Sequence, residues 1–133
     1  MRSPLSVTFY LAFLGASLLG CRNSADVSDV SDSVILPAVK LEAPSTIAPA
    51  ATLTVALTLS PGSCTTFDRI DVQRSGSEIR LTAFGVFHGP YPCVAPRQLL
   101  ETVQLAPPFP ASFTVVAAQP PGVDPLSTSV MVQ

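Results

Sequence analysis

The chain has 133 residues, a net charge of −2 at pH 7 and only 12 % charged residues. This length allows one hydrophobic core of ordinary size, and the weak negative charge gives no long-range field that would attract nucleic acid or an anionic lipid surface. Fourteen prolines, no tryptophan and few charges are also unlike a helical bundle, whose solvent faces need Glu, Lys and Arg. Short apolar alternations separated by prolines instead predict an all-β domain with many loops.

The first 20 residues have the features of a secretory signal peptide. Met1 and Arg2 form a short positive start, residues 5–19 are uncharged and largely apolar, and small residues precede Cys21. A membrane-spanning anchor and a core helix are the alternatives. However, the apolar segment is shorter than the about 20 residues that span a bilayer, and it has no polar face. We therefore predict a helical signal peptide over residues 1–20 that is cleaved from the mature protein.

The end of this segment, Leu18-Leu19-Gly20-Cys21, resembles the lipobox of bacterial lipoproteins. The resemblance lies in the Leu three positions before the cysteine and the small residue directly before it, whereas Leu19 departs from the residues usual in the middle. It implies that Cys21 receives a diacylglyceryl thioether, becomes the first mature residue and carries acyl chains such as palmitate. A thiol is nucleophilic enough to be alkylated by a lipid donor, and two or more acyl chains give stable membrane anchoring.

The same resemblance implies a location in the bacterial cell envelope, with the protein bound to a membrane through Cys21. Arg22 stands where some enteric lipoproteins carry an Asp that retains them at the inner membrane, so the outer membrane is favoured. Whether the domain faces the periplasm or the outside stays open.

The segment after Cys21 is rich in Ser and Asp and reads RNSADVSDVSDS over residues 22–33. Such a segment cannot bury enough apolar surface to offset the entropy lost on ordering. We predict a lipidated, disordered tether over residues 21–37. A short helix is the alternative, although Ser and Asp favour helix caps and turns over helix interiors.

The remaining residues, 38–133, place apolar side chains at every second position between turn signals, which is typical of half-buried strands. The clearest case is TLTVALTL at residues 52–59. Residues 67–74 and 78–87 are expected to form a hairpin, with Ile70 and Val72 facing the core from its first strand. Further strands are expected over residues 39–42, 101–105, 112–118 and 128–132.

About seven strands of this spacing predict an antiparallel β-sandwich that resembles immunoglobulin or fibronectin type III domains. The chain has no tryptophan and therefore lacks the cysteine and tryptophan spacing of true immunoglobulin domains, so the resemblance concerns the fold class. We expect this domain to be monomeric.

Three cysteines are present, and lipidation would use Cys21. Cys64 and Cys93 then remain in an exported domain, and we predict that they form a disulfide. They flank the two ends of the predicted hairpin, so the bridge would hold its open end together. Two buried free thiols are the alternative.

No residue pattern predicts a catalytic, cofactor or metal site. The single histidine, His88, has no neighbouring carboxylate in sequence, and no zinc, calcium or phosphate-binding motif is present. Asp68 and Asp71 lie beside Arg69 and Arg74 in a predicted strand, a pattern typical of a solvated charged face.

The segment HGPYPC, residues 88–93, is the candidate recognition loop. Its prolines and Cys93 restrict the backbone, and His88 and Tyr91 offer polar and amphipathic side chains. A loop of restricted conformation loses little entropy on binding. The alternative is structural, with Gly89 and Pro90 turning the chain and Tyr91 packing over the disulfide.

The sequence therefore predicts a non-catalytic β-sandwich, anchored to a membrane by lipid, with a binding or structural role. An envelope protein of unknown identity is the expected partner. A secreted peptidase inhibitor and an enzyme accessory fragment are the alternatives. The loop motifs of immunoglobulin-like cysteine-peptidase inhibitors are absent from the sequence.

Overall fold

The structure is a computed structural model that describes residues 32–89, 93 and 97–133. Within these residues the chain forms nine strands and no helix. In chain order the strands are β1 (Asp32–Ile35), β2 (Ala38–Glu42), β3 (Thr46–Ile47), β4 (Leu53–Leu59), β5 (Thr65–Ser75), β6 (Glu78–Phe87), β7 (Leu99–Leu105), β8 (Ser112–Ala117) and β9 (Leu126–Val132).

Six strands form the larger sheet, which is built around β6. The hairpin partner β5 pairs antiparallel along the whole length of β6 on one side. The other side of β6 is shared, because β1 pairs with residues 84–87 and β8 pairs with residues 78–81. From β8 the sheet continues through β9 to β3. The β6–β8 and β3–β9 ladders are parallel.

Three strands form the smaller antiparallel sheet in the order β2-β4-β7. The alternation in β4 puts Leu53, Val55, Leu57 and Leu59 on one face, and all four are at most 1 % exposed. They pack in one core cluster with buried residues of β6, β8 and β9 from the larger sheet. No polar side chain is buried among the described residues. The predicted all-β sandwich is therefore confirmed.

The strand β5 forms the outer edge of the larger sheet and contains a bulge between Phe67 and Arg69. Because the bulge adds one residue, Phe67 and Ile70 both pack against the core although they are three positions apart. Val72 is 39 % exposed, so its predicted burial is wrong. Val72 follows Ile70 on the same face of this edge strand, so the core covers that face at Ile70 but not at Val72.

Close packing at Gly85 and hydrogen bonds from Gln119 position the first two strands. Gly85 in β6 has no room for a side chain, because a Cβ there would lie 2.7 Å from both Leu36 Cδ2 and the carbonyl oxygen of Thr66. Where the chain crosses to the smaller sheet, the Gln119 side chain accepts from the Ala38 N–H at 3.0 Å and donates to its carbonyl oxygen at 2.7 Å. The Gln119 amide thus makes the two backbone hydrogen bonds that a neighbouring strand would otherwise make with Ala38.

Three details of the predicted organisation are corrected. The tether was expected to end at residue 37, but Asp32–Ile35 forms β1 within the larger sheet. Two short strands, β1 and β3, raise the number in the described residues from the expected seven to nine. The two parallel ladders show that the sandwich is not purely antiparallel, because β8 and β3 join strands that lie far away in sequence.

The two ends of the sandwich carry different features. At one end, which we call the proximal end, Asp32 begins β1 opposite Phe87, and Phe87 pairs in turn with Thr65 at the start of β5. At the other end, the distal end, the β5–β6 turn follows Ser75. The start of the described chain therefore lies at the same end as Cys64.

Candidate functional site

The predicted disulfide is confirmed. Cys64 and Cys93 are bonded, and their Cα atoms lie 5.1 Å apart. Cys64 directly precedes β5, so the bridge lies at the open end of the β5–β6 hairpin, where it was expected. The alternative of two free thiols is wrong.

A backbone hydrogen bond at Cys64 links the two hairpin strands beyond their last residue pair. Cys64 adopts a φ of 61°, in the left-handed region that residues other than glycine rarely occupy. Its carbonyl oxygen accepts a hydrogen bond from the His88 N–H at 2.9 Å. His88, the histidine of the predicted recognition loop, is thereby held at the proximal end.

The His88 side chain contacts β5 rather than a carboxylate. Its Nε2 lies 2.7 Å from the hydroxyl oxygen of Thr66, and both side chains are exposed. The two groups satisfy one another in either tautomer, since a hydroxyl both donates and accepts. The pair forms a polar rim at the start of β5.

A pocket of about 480 Å³ opens beside this rim. Its apolar lining comes from Pro61, Phe67 and Leu99 together with the disulfide. Thr66 and His88 supply polar groups, and so does Arg97. This volume and this mixture of an apolar lining with few polar groups are usual for small-molecule sites.

The pocket exists because two strands at sheet edges begin close together there. Phe67 faces inward from β5, and Leu99 faces inward at the start of β7 opposite Leu59. Neither side chain is fully covered, since the sandwich is open between these edges. Pro61, which is buried, closes the inner wall where the chain passes from β4 to β5.

Arg97 differs from the other cations of the described residues. Lys40, Arg69 and Arg80 each form an ion pair with a carboxylate, and Arg74 donates to two carbonyl oxygens. Arg97 has no ion pair or hydrogen bond with any described residue and is exposed. Its guanidinium is therefore available to a ligand at the pocket.

The charged face expected on β5 lies outside the pocket. Arg69 donates to Asp68 at 2.6 Å and to Asp71 at 3.1 Å, and its guanidinium lies 4.6 Å from the centre of the Phe84 ring. The hydrogen bond to Asp68 is the main cause that raises the pKa of Arg69 above its usual value. All three charged side chains are between 42 % and 50 % exposed. These residues form a solvated ion-pair cluster, as expected.

The structure brings together some of the residues singled out from the sequence. His88, Cys64 and Cys93 meet at the pocket. Cys21, the predicted site of lipid attachment, and Tyr91, of the predicted recognition loop, lie outside the described residues.

Sequence reasoning did not find Pro61, Phe67, Arg97 and Leu99 as site residues. The only available signal was their position near the two cysteines, because Pro61 lies three residues before Cys64 and Arg97 lies four residues after Cys93. That signal is weak, since it does not show which side chains face the same space.

The described part of the chain has no cluster of metal-ligating side chains and no membrane-spanning helix. No group of three or more His, Cys, Asp or Glu side chains is arranged there to hold a metal ion. Residues 32–89, 93 and 97–133 also contain no helix of the length and apolar character needed to cross a membrane.

Comparison with known proteins found no match. No family model matches the chain, and no match was found among the curated proteins or the solved structures.

Proposed function

We propose that this protein is a lipid-anchored lipoprotein of the bacterial envelope whose β-sandwich is a non-catalytic binding domain, with the pocket at its proximal end as the binding site. The observation that carries the proposal is this pocket, which is lined by apolar side chains from β5 and β7 and by Arg97, a cation with no ion pair in the described part of the chain. Preformed apolar pockets with a few polar groups are the usual form of small-ligand sites.

The anchor part of the proposal rests on the lipobox resemblance that ends at Cys21. Ten residues lie between Cys21 and Asp32, where β1 begins, so eleven Cα-to-Cα steps join the two residues. A chain of that length spans at most about 40 Å when fully extended. An acylated Cys21 would therefore keep the proximal end of the domain, and the pocket with it, close to the membrane surface.

An anchor at Cys21 would also determine which partners the candidate recognition loop can contact. His88 lies at the proximal end, beside the strand that leads back to Cys21. A partner of His88 would accordingly lie at the membrane surface. Partners further from the membrane would meet the β5–β6 turn at the distal end instead.

The non-catalytic part of the proposal draws on the surroundings of His88. A histidine that acts as a general base is usually oriented by a carboxylate and placed beside a nucleophile that it activates. The Nε2 of His88 is instead within hydrogen-bond distance of an exposed Thr66 hydroxyl, without a carboxylate partner among the described residues. This geometry supports binding more than acid–base chemistry.

The anchor is tested by mass spectrometry and fractionation of the protein expressed in a bacterium. The mature protein should begin at Cys21, carry the mass of two or more acyl chains and remain with the membranes. Cys21→Ser should accumulate as the unprocessed precursor. The double variant Cys64→Ser, Cys93→Ser is the matched control, because it removes two thiols but should still be acylated. A mature, unacylated and water-soluble wild-type protein would refute the anchor.

The predicted recognition loop is tested by capture of envelope proteins on immobilised full-length protein. Tyr91→Ala should weaken capture of a specific partner while the thermal midpoint changes by less than the equivalent of about 1 kcal/mol. If the substitution unfolds the domain instead, Tyr91 packs over the disulfide and the structural alternative is correct.

A further inference from the structure

Among the described residues, the lining of the pocket combines apolar side chains with one cation, Arg97. Pro61 is buried, and Phe67 and Leu99 are half-buried and pack against the core. The Cys64–Cys93 bridge adds a further apolar wall. A ligand inside this space would contact carbon and sulfur atoms for most of its length, and water would be displaced from apolar surface.

Three exposed polar side chains line the pocket, those of Thr66, His88 and Arg97. Arg97 is without an ion pair in the described residues, and its planar guanidinium can bind a carboxylate or a phosphate through two parallel hydrogen bonds. Thr66 and His88 line the same opening and can donate or accept one further hydrogen bond. None of the described residues that line the pocket is a carboxylate, so the charge that they present favours an anion.

We propose that the pocket binds an amphiphile that has an acyl chain and an anionic head group. The acyl chain would lie against Phe67, Leu99 and the disulfide, and the head group would bind Arg97. This proposal deepens the proposed function and rests on it in one respect, since the anchor at Cys21 would keep the pocket near a membrane that contains such molecules. A free fatty acid and an anionic phospholipid share this chemistry.

The source of the ligand is distinguished by photo-crosslinking of the full-length protein in phosphatidylcholine vesicles. One sample receives a fatty acid with a photoreactive acyl chain, and the other receives phosphatidylglycerol with the same reactive chain. Peptides that contain Pro61, Phe67 or Leu99 should be labelled in at least one sample, and the sample that labels identifies the source. A fatty alcohol with the same reactive chain should label these peptides several-fold less. Equal labelling by the alcohol would overturn the proposed role of the anionic head group.

Two variants test the two halves of the pocket separately. Arg97→Gln should lower labelling by about fivefold to tenfold, because a charge-assisted hydrogen bond at an exposed site is lost. Gly62→Leu should block the pocket, since Gly62 lines it and a Cβ there would have only the Thr65 hydroxyl oxygen within 4 Å, at 3.9 Å. Arg80→Gln is the matched control, because it removes a cation that lies away from the pocket, and labelling should not change.

The proposal is wrong if Arg97→Gln and Gly62→Leu both label like the wild type, or if the β5–β6 turn is labelled as strongly as the pocket. The thermal midpoint of each variant shows whether it is folded, and Arg97 is exposed, so its substitution should leave the fold intact. Labelling by the free fatty acid is repeated without vesicles, where no anchor is needed. The mass of the mature protein tests acylation of Cys21 independently of the labelling. A missing anchor and a pocket that does not bind the amphiphile therefore give different results.

Discussion

The substitution Gly85→Ala should destabilise the domain strongly for a change of one methyl group. Gly85 pairs with Val34 of β1 on one side and Phe67 of β5 on the other. An added Cβ would lie 2.7 Å from Leu36 Cδ2 and from the Thr66 carbonyl oxygen, and 2.9 Å from Thr65 Cγ2. Ordinary contact begins at 3.4 Å, so a neighbour must move by about 0.7 Å. The Thr66 oxygen belongs to the backbone of a paired strand and cannot rotate away.

Overpacking of this kind costs about 1 to 3 kcal/mol. For a domain of about 100 residues, a loss of 2 kcal/mol lowers Tm by about 8 to 16 °C. The assay is thermal unfolding of the purified protein followed by circular dichroism, with urea unfolding as a second measurement. The start of β5 should also move, so labelling of the pocket should fall together with stability.

The control for Gly85→Ala is Gly62→Ala. Gly62 lies outside the strands, and its nearest neighbour would be 3.9 Å from an added Cβ. This substitution should leave Tm unchanged or raise it slightly, because alanine lowers the entropy of the unfolded chain. If Gly85→Ala is as stable as Gly62→Ala, the conclusion that β1 and β5 pack too closely against β6 at Gly85 to admit a side chain is wrong.

Three further substitutions test other contacts. Gln119→Ala should lower the free energy of unfolding in urea by about 1 to 3 kcal/mol, because both backbone groups of Ala38 lose their partner. Gln119→Glu should be destabilised by a similar amount at pH 7 but recover stability near pH 4, where a protonated carboxyl can again donate to the Ala38 carbonyl oxygen. A loss of stability that does not depend on pH would contradict this prediction. Arg74→Met removes hydrogen bonds to two carbonyl oxygens in the loop after β7 and should lower the free energy of unfolding by about 1 kcal/mol. Proteolysis of that loop should become faster, and an unchanged rate would show that Arg74 does not hold the loop in place. Cys64→Ala should cost about 3 to 4 kcal/mol, the same as the double variant with Cys93→Ala, and alkylation of the native wild type would argue against the bridge.

Local alternation of apolar residues was sufficient to predict most strands. The bounds of β6 were predicted as they occur, and the inward row of β4 is buried as expected. A strand between a core and solvent must alternate, so this information is contained in each short segment. The pairing of Cys64 with Cys93 could also be predicted, because lipidation of Cys21 would leave them no other cysteine.

The strands that the sequence did not predict are those whose stability comes from distant partners. The β1 sequence DSVI begins with Asp32 and Ser33, which also suit a tether, and it becomes a strand because β6 has a free edge beside residues 84–87. The parallel ladder between β6 and β8 depends likewise on which edge is vacant after β5 has paired. Such pairings are long-range, and no local pattern encodes them.

The sequence by itself determined the all-β class, the hairpin, the disulfide and the absence of a recognisable catalytic motif. The pocket was decided by the tertiary structure alone, because Phe67, His88 and Leu99 come from three separate segments that meet only where β5, β6 and β7 reach the proximal end. That Arg97 has no ion pair with residues 32–89, 93 and 97–133 was decided in the same way, since the neighbours of a charge are side chains that the fold brings from distant parts of the chain.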